Sequence, residues 1–121
     1  MAYEEIHAHE VENFLQQPNT VVIDIRDIHS YNQGHMKDAM HIDGPTMGKL
    51  IRMRKSNPVV LVYCYHGNSS RDMADMISRF GFTNVSHVIG GWEAWVNYQA
   101  SKTVRTRQAE EFQPGMVEAF A

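Results

Sequence analysis

The sequence predicts an α/β domain with about five strands in a mostly parallel sheet and helices on both faces. Three short apolar, β-branched runs carry this reading: Val21-Val22-Ile23, Val59-Val60-Leu61-Val62 and the looser Val85 to Ile89. Each is bounded by turn or polar residues and reads as a buried strand. The stretches around them instead space their apolar residues by three and four, as helices do. Strand and helix therefore alternate along the chain, which implies parallel strands joined by right-handed crossovers.

The elements follow in order. Val11, Phe14 and Leu15 form the first helical stripe, and Pro18-Asn19 punctuates the chain before the first strong strand. Asp43-Gly44-Pro45 places a capping residue and a proline ahead of a second stripe, Met47, Leu50 and Ile51. Asn57-Pro58 ends that helix before the central strand. Met73, Met76, Ile77 and Phe80 mark the next helix, with both methionines read as core, and Trp92, Trp95 and Val96 mark the last. Segments around Ile6 and from Ala39 to Ile42 are expected as short edge strands. After Tyr98 the chain turns polar through Lys102, Arg105, Arg107, Glu110 and Glu111, so residues 1–98 are expected as the domain and 99–121 as an extension, partly disordered or helical. The basic residues of this tail read as a solvated face.

Composition narrows the function. A chain of 121 residues, 43% hydrophobic, suits one domain with one core. With 11 Lys and Arg against 14 Asp and Glu, the net charge of -3 provides no broad basic field for nucleic acid or anionic lipid. The amino terminus lacks the basic start and apolar run of a secretion signal, and no stretch approaches the roughly 18 apolar residues of a membrane span. A cytoplasmic protein is expected. Its seven histidines are scattered, and pairs such as His7 with His9 or Cys64 with His66 fall short of a metal site, so neither metal nor organic cofactor is expected.

The single cysteine is either a packing residue or a reactive thiol. Cys64 ends the run Val59-Val-Leu-Val-Tyr and is followed by Tyr65-His66-Gly67-Asn68-Ser69-Ser70-Arg71. The carboxyl edge of a parallel sheet is where ligands bind. Ser69 with Asp72 three positions on fits a helix start, leaving Tyr65 to Asn68 as a short loop. Free amides and the helix dipole there stabilise an anion, and a cysteine so placed has its thiol pKa drawn below about 8.5. Packing alone does not explain a loop of Gly, Asn and Ser, which suits amides turned toward a ligand.

These residues resemble the single-domain rhodaneses, which are thiosulfate sulfurtransferases. Cys64-Tyr-His-Gly-Asn-Ser-Ser is especially similar to the active loop of the bacterial type associated with glycerol-3-phosphate operons. Val22-Ile-Asp24-Ile-Arg26-Asp27 resembles the family's early strand-end motif. Tyr31-Asn-Gln-Gly34-His35-Met-Lys-Asp38-Ala39 resembles its Gly-His-Ile-x-Gly-Ala segment, and Gly90-Gly91-Trp92-Glu-Ala-Trp95 its closing Gly-Gly-x-x-x-Trp. Four motifs in consistent order span about residues 5 to 98. The resemblance implies a rhodanese-like fold in which Cys64 takes the outer sulfur of thiosulfate as a persulfide, releases sulfite, and passes the sulfur to cyanide or to a dithiol acceptor such as thioredoxin.

This sequence departs from the family in two places. Many rhodaneses carry Arg or Lys inside the loop, whereas here the nearest cation is Arg71, so Arg71 and the loop amides are expected to hold the donor, with His66 assisting when protonated. Asp38 stands where the family usually has glycine. Asp24 and Arg26, at a strand end beside the cysteine strand, read as a supporting ion pair that tunes or braces the site. Tyr65 either walls the sulfur pocket or covers the core. Phosphatases and arsenate reductases of similar architecture use Cys-x5-Arg, but here Ser70 holds that arginine's place. A persulfide carrier acting between protein partners uses the same chemistry and stays open as the alternative to thiosulfate.

Overall fold

The computed structural model describes residues 3–111, and the side chains of residues 3–102. Five strands, β1 (Glu4–Ile6), β2 (Thr20–Asp24), β3 (Met40–His41), β4 (Val59–Tyr63) and β5 (Val85–Val88), form one sheet in the order β1-β5-β4-β2-β3. Every pairing is parallel. Both expected edge strands are present, β1 beside β5 and β3 beside β2. The central strand β4 is matched residue for residue with β2, from Thr20 opposite Val59 to Asp24 opposite Tyr63.

Strand alternation divides the core. Val60 and Val62 point to one face, where they pack with Ile23, Leu50, Ala74 and Ile77. Leu61 and Tyr63 point to the other, with Val11, Val22, Met36 and Trp95. Helices α3 (Met47–Ile51) and α4 (Ser69–Arg79) cover the first face, and α1 (Val11–Gln16) and α5 (Gly91–Glu111) the second. A central strand buried on both faces needs its near-continuous apolar run.

Two local features differ from the sequence expectation. A short helix, α2 (Ile28–Gln33), stands between β2 and β3, capped by the Asp27 carboxylate, which accepts from the Ser30 amide at 3.0 Å. Along α4 the buried residues are Ser70, Ala74 and Ile77, while Met76 and Phe80 are exposed; the inward stripe is rotated from the one the large apolar residues suggest. The last helix continues past Tyr98 to Glu111, and Lys102 pairs with Glu12 of α1. Residues 112–121 of the expected extension lie outside the described residues. No helix among the described residues is long and apolar enough to cross a membrane.

Turns explain the punctuation. Asn19 and Asn57 both take left-handed backbone, φ 61° and 44°, and their side chains bond to Ser56 O and Thr83 Oγ1. Asp38 also sits at φ 60°, a conformation that glycine adopts without penalty and Asp tolerates. The turn expected of glycine is thus kept by aspartate.

Candidate active site

Cys64 leaves the end of β4, and α4 begins five residues later at Ser69. Asn68 is the boundary residue and makes no side-chain cap; Ser69 is the first helical residue, so the capping role expected of it is not taken up. The loop is instead held from below by α5. The amide of Trp92 donates to Cys64 O at 2.7 Å and that of Glu93 to Tyr65 O at 3.1 Å. Two unpaired amides at a helix start are thereby satisfied by the two carbonyls that the loop must bury.

That close approach explains the Gly90-Gly91 pair. Gly91 has φ +60°, and a Cβ there would lie 2.4 Å from Cys64 O and 2.7 Å from Tyr65 O. Gly91→Ala is therefore expected to lower stability by about 1–3 kcal/mol, because strain at a left-handed position adds to a backbone clash. A urea midpoint indistinguishable from wild type would show that the loop and α5 are not locked together in this way.

The turn at Gly67, φ +94°, aims amides back at the sulfur. Gly67 N donates to Cys64 Sγ at 3.1 Å and Ser70 N at 3.3 Å, with Ser70 Oγ also 3.3 Å away. Burial pushes the Cys64 thiol up. The hydrogen bond between the sulfur and the Ser70 hydroxyl, and those from the amides of Ser70, Gly67 and His66, oppose it and prevail, so the thiol lies below its ordinary value.

The sulfur faces a cleft of about 190 Å³ lined by Ile25, Arg26, Cys64, Tyr65, His66, Asn68 and Ser69. Gly67 and Ser70 lie behind the sulfur and hold it. Arg71, expected beside the donor, does not line the cleft; its Nε meets Glu5 Oε2 at 3.2 Å. His66 is exposed and pairs with Glu93 at 2.7 Å. The cation that borders the cleft is Arg26, only 6% exposed and stacked 4.3 Å from the centre of the Trp92 ring and 5.2 Å from that of Tyr65. Its Nη2 donates to Asp24 Oδ2 at 2.7 Å and to Gly34 O at 2.6 Å, and its Nε reaches both Asp24 oxygens at 3.1 Å. Tyr65 walls the cleft, its hydroxyl bonded to Ser30 of α2.

The family model of the rhodanese-like domain matches residues 7–98. The chain belongs to the rhodanese-like domain family. Among solved structures, it is similar to a rhodanese-related protein from Thermoplasma volcanium, at 21% identity and TM-score 0.67 over 79% of this chain and 93% of that one. A Rhodopseudomonas palustris protein described as a possible tyrosine phosphatase gives 18% identity and TM-score 0.71 over 80% and 82%. A thiosulfate sulfurtransferase from Pseudomonas aeruginosa gives 19% and 0.67 over 79% of this chain but only 18% of that one. At these identities the likeness is one of fold.

Within this rhodanese-like domain the geometry adds residues the sequence did not single out. Trp92, expected only as part of the apolar stripe of the last helix, forms the stacking platform under Arg26. His87, wholly buried in β5, lies with Nδ1 3.0 Å from Ser70 Oγ and Nε2 2.8 Å from Glu5 Oε2. Its only sequence signal was a polar residue inside a strand buried on both faces. Among the described residues, no three His, Cys, Asp or Glu side chains are grouped to hold a metal ion.

Proposed function

We propose that this rhodanese-like domain is a thiosulfate sulfurtransferase working through a Cys64 persulfide. The observation that carries the reading is the sulfur itself, lowered in pKa, held by the amides of Gly67 and Ser70 and by the Ser70 hydroxyl, and open to a small cleft bordered by Arg26. A thiolate attacks the outer sulfur of thiosulfate; the S–S bond breaks and its electron pair leaves with sulfite. The persulfide anion that remains is stabilised by the same amides. Cyanide then takes the outer sulfur as thiocyanate, or a thiolate of a reduced dithiol protein such as thioredoxin takes it and regenerates Cys64. The sulfonate of the donor is proposed to lie against the Arg26 edge of the cleft. A cytoplasmic setting, rich in reduced thiols, suits an unpaired reactive cysteine.

One observation favours a second reading, a persulfide carrier between proteins. The guanidinium at the cleft already has its charge matched by Asp24, so a dianionic donor gains little net attraction. A phosphatase reading gains nothing from the geometry. Ser70, at the place of the Cys-x5-Arg arginine, is wholly buried behind the sulfur, and no guanidinium reaches the cleft from there.

Mass spectrometry after exposure to thiosulfate tests the proposal. One added sulfur, about 32 mass units, on Cys64 with one equivalent of sulfite released is the expected result of the covalent step. Sulfur uptake from a protein persulfide, without sulfite release from thiosulfate, would select the carrier. Uptake from neither would sink both.

A further inference from the structure

Behind the sulfur runs a line of polar groups that no step of the proposed transfer uses. Ser70 Oγ lies 3.3 Å from Cys64 Sγ and 3.0 Å from His87 Nδ1, and His87 Nε2 lies 2.8 Å from Glu5 Oε2. Ser70 and His87 are wholly buried, whereas the Glu5 side chain is 39% exposed, so the line runs from the active sulfur to solvent at the sheet edge. Parallel register places it there: Glu5 is opposite His87 across β1 and β5, and both project on the α4 face. The groups facing His87 are Glu5 from β1, Tyr3 edge-on at 5.7 Å, Ser70 of α4 with Cys64 beyond it, and Arg71, which shares the Glu5 oxygen at 3.2 Å.

Chemistry orients the donors. A carboxylate only accepts, so Nε2 of His87 carries the proton and Nδ1 presents its lone pair. The Ser70 hydroxyl then donates to Nδ1, and its oxygen is free to accept from the Cys64 S–H. The bond from His87 is the chief reason the Glu5 carboxyl lies below the usual range, with Arg71 adding to it. The side-chain hydrogens of this line thus point away from the sulfur toward the Glu5 carboxylate.

We infer that Ser70, His87 and Glu5 form a proton relay that converts the Cys64 thiol to a thiolate paired with a His87 imidazolium. The S–H proton passes to Ser70 Oγ as the hydroxyl proton passes to Nδ1; sulfur becomes negative, the imidazole positive, and the hydroxyl and the Glu5 carboxylate are unchanged. Ser70 touches the reacting sulfur, while His87 and Glu5 are positioning residues acting through it. The inference rests on Cys64 as the nucleophile and adds to it the group that receives its proton.

Alkylation of Cys64 by iodoacetamide across pH reads this directly and involves no sulfur donor, so its outcome is independent of whether thiosulfate is the substrate. Glu5→Gln keeps an oxygen for Nε2–H but removes the charge, and it is expected to raise the midpoint of the alkylation profile by on the order of one pH unit. His87→Gln is expected to raise it at least as far. In a Ser70→Ala background the Glu5→Gln effect should vanish, because the link is cut. The imidazole nitrogens of His87, followed by NMR in the folded protein, should report an imidazolium at neutral pH in wild type and a neutral Nε2–H ring in Cys64→Ser. An unmoved midpoint in Glu5→Gln, a full effect of Glu5→Gln without the Ser70 hydroxyl, or a neutral His87 beside a reactive thiolate would each overturn the relay. If His87→Gln does not fold, Glu5→Gln and the wild-type spectrum still decide.

Discussion

Purified Cys64→Ser protein is expected to release sulfite from thiosulfate no faster than buffer, a loss of at least about 10³-fold, while remaining folded. The chain has no second thiol to substitute. A serine hydroxyl ionises far less readily than a thiol, and the amides of Gly67 and Ser70 cannot make up that difference. The same replacement also separates chemistry from stability. Because the thiol is lowered on folding, the folded state favours the thiolate; that stabilisation is complete above the unfolded thiol value of about 8.5 and is lost as pH falls through the folded value. Urea midpoints should therefore show wild type gaining on Cys64→Ser as pH rises from mildly acidic toward 9. Sulfite release by Cys64→Ser at the wild-type rate would end the persulfide mechanism.

The parts of this site that were legible in the sequence are the local ones. A buried strand followed by Cys, Gly, Asn and Ser before a helical stripe announces a thiol at the carboxyl edge of a sheet with amides turned toward it, and β4, the loop and α4 are so arranged. The source of the site's charge was not legible, because it depends on helix rotation and on contacts across strands. Arg71 follows Ser70 by one helical step of about 100°, and since Ser70, Ala74 and Ile77 face inward, Arg71 is carried aside toward Glu5 on the edge strand. The same rotation leaves Met76 exposed. Arg26 reaches the cleft only because β2 lies beside β4 and α5 brings Trp92 under the guanidinium. His87 and Glu5 are 82 positions apart, and only the parallel register of β1 on β5 joins them.

Asp24→Ala is expected to be the most destabilising single replacement near the site, by about 3–5 kcal/mol, the typical cost of leaving one partner of a buried ion pair alone. Asp24 has no exposed surface and accepts from the Arg26 amide at 2.8 Å, from its guanidinium, and from Tyr63 Oη at 2.6 Å. Burial first, and the bond to Asp24 second, keep the Tyr63 phenol protonated as a donor. Removing the carboxylate would strand both a guanidinium and a hydroxyl. The double replacement Asp24→Ala with Arg26→Met should recover part of the loss, since a flexible apolar side chain can lie on Trp92 and no buried charge is left unpaired. If Arg26 also meets the donor, the recovered protein should show a raised KM for thiosulfate while its Cys64 alkylation profile stays close to wild type, because the sulfur is held from the opposite face of the sheet. A double variant as unstable as Asp24→Ala alone would show that Asp24 stabilises the domain through the backbone of the β2 turn and not by neutralising Arg26.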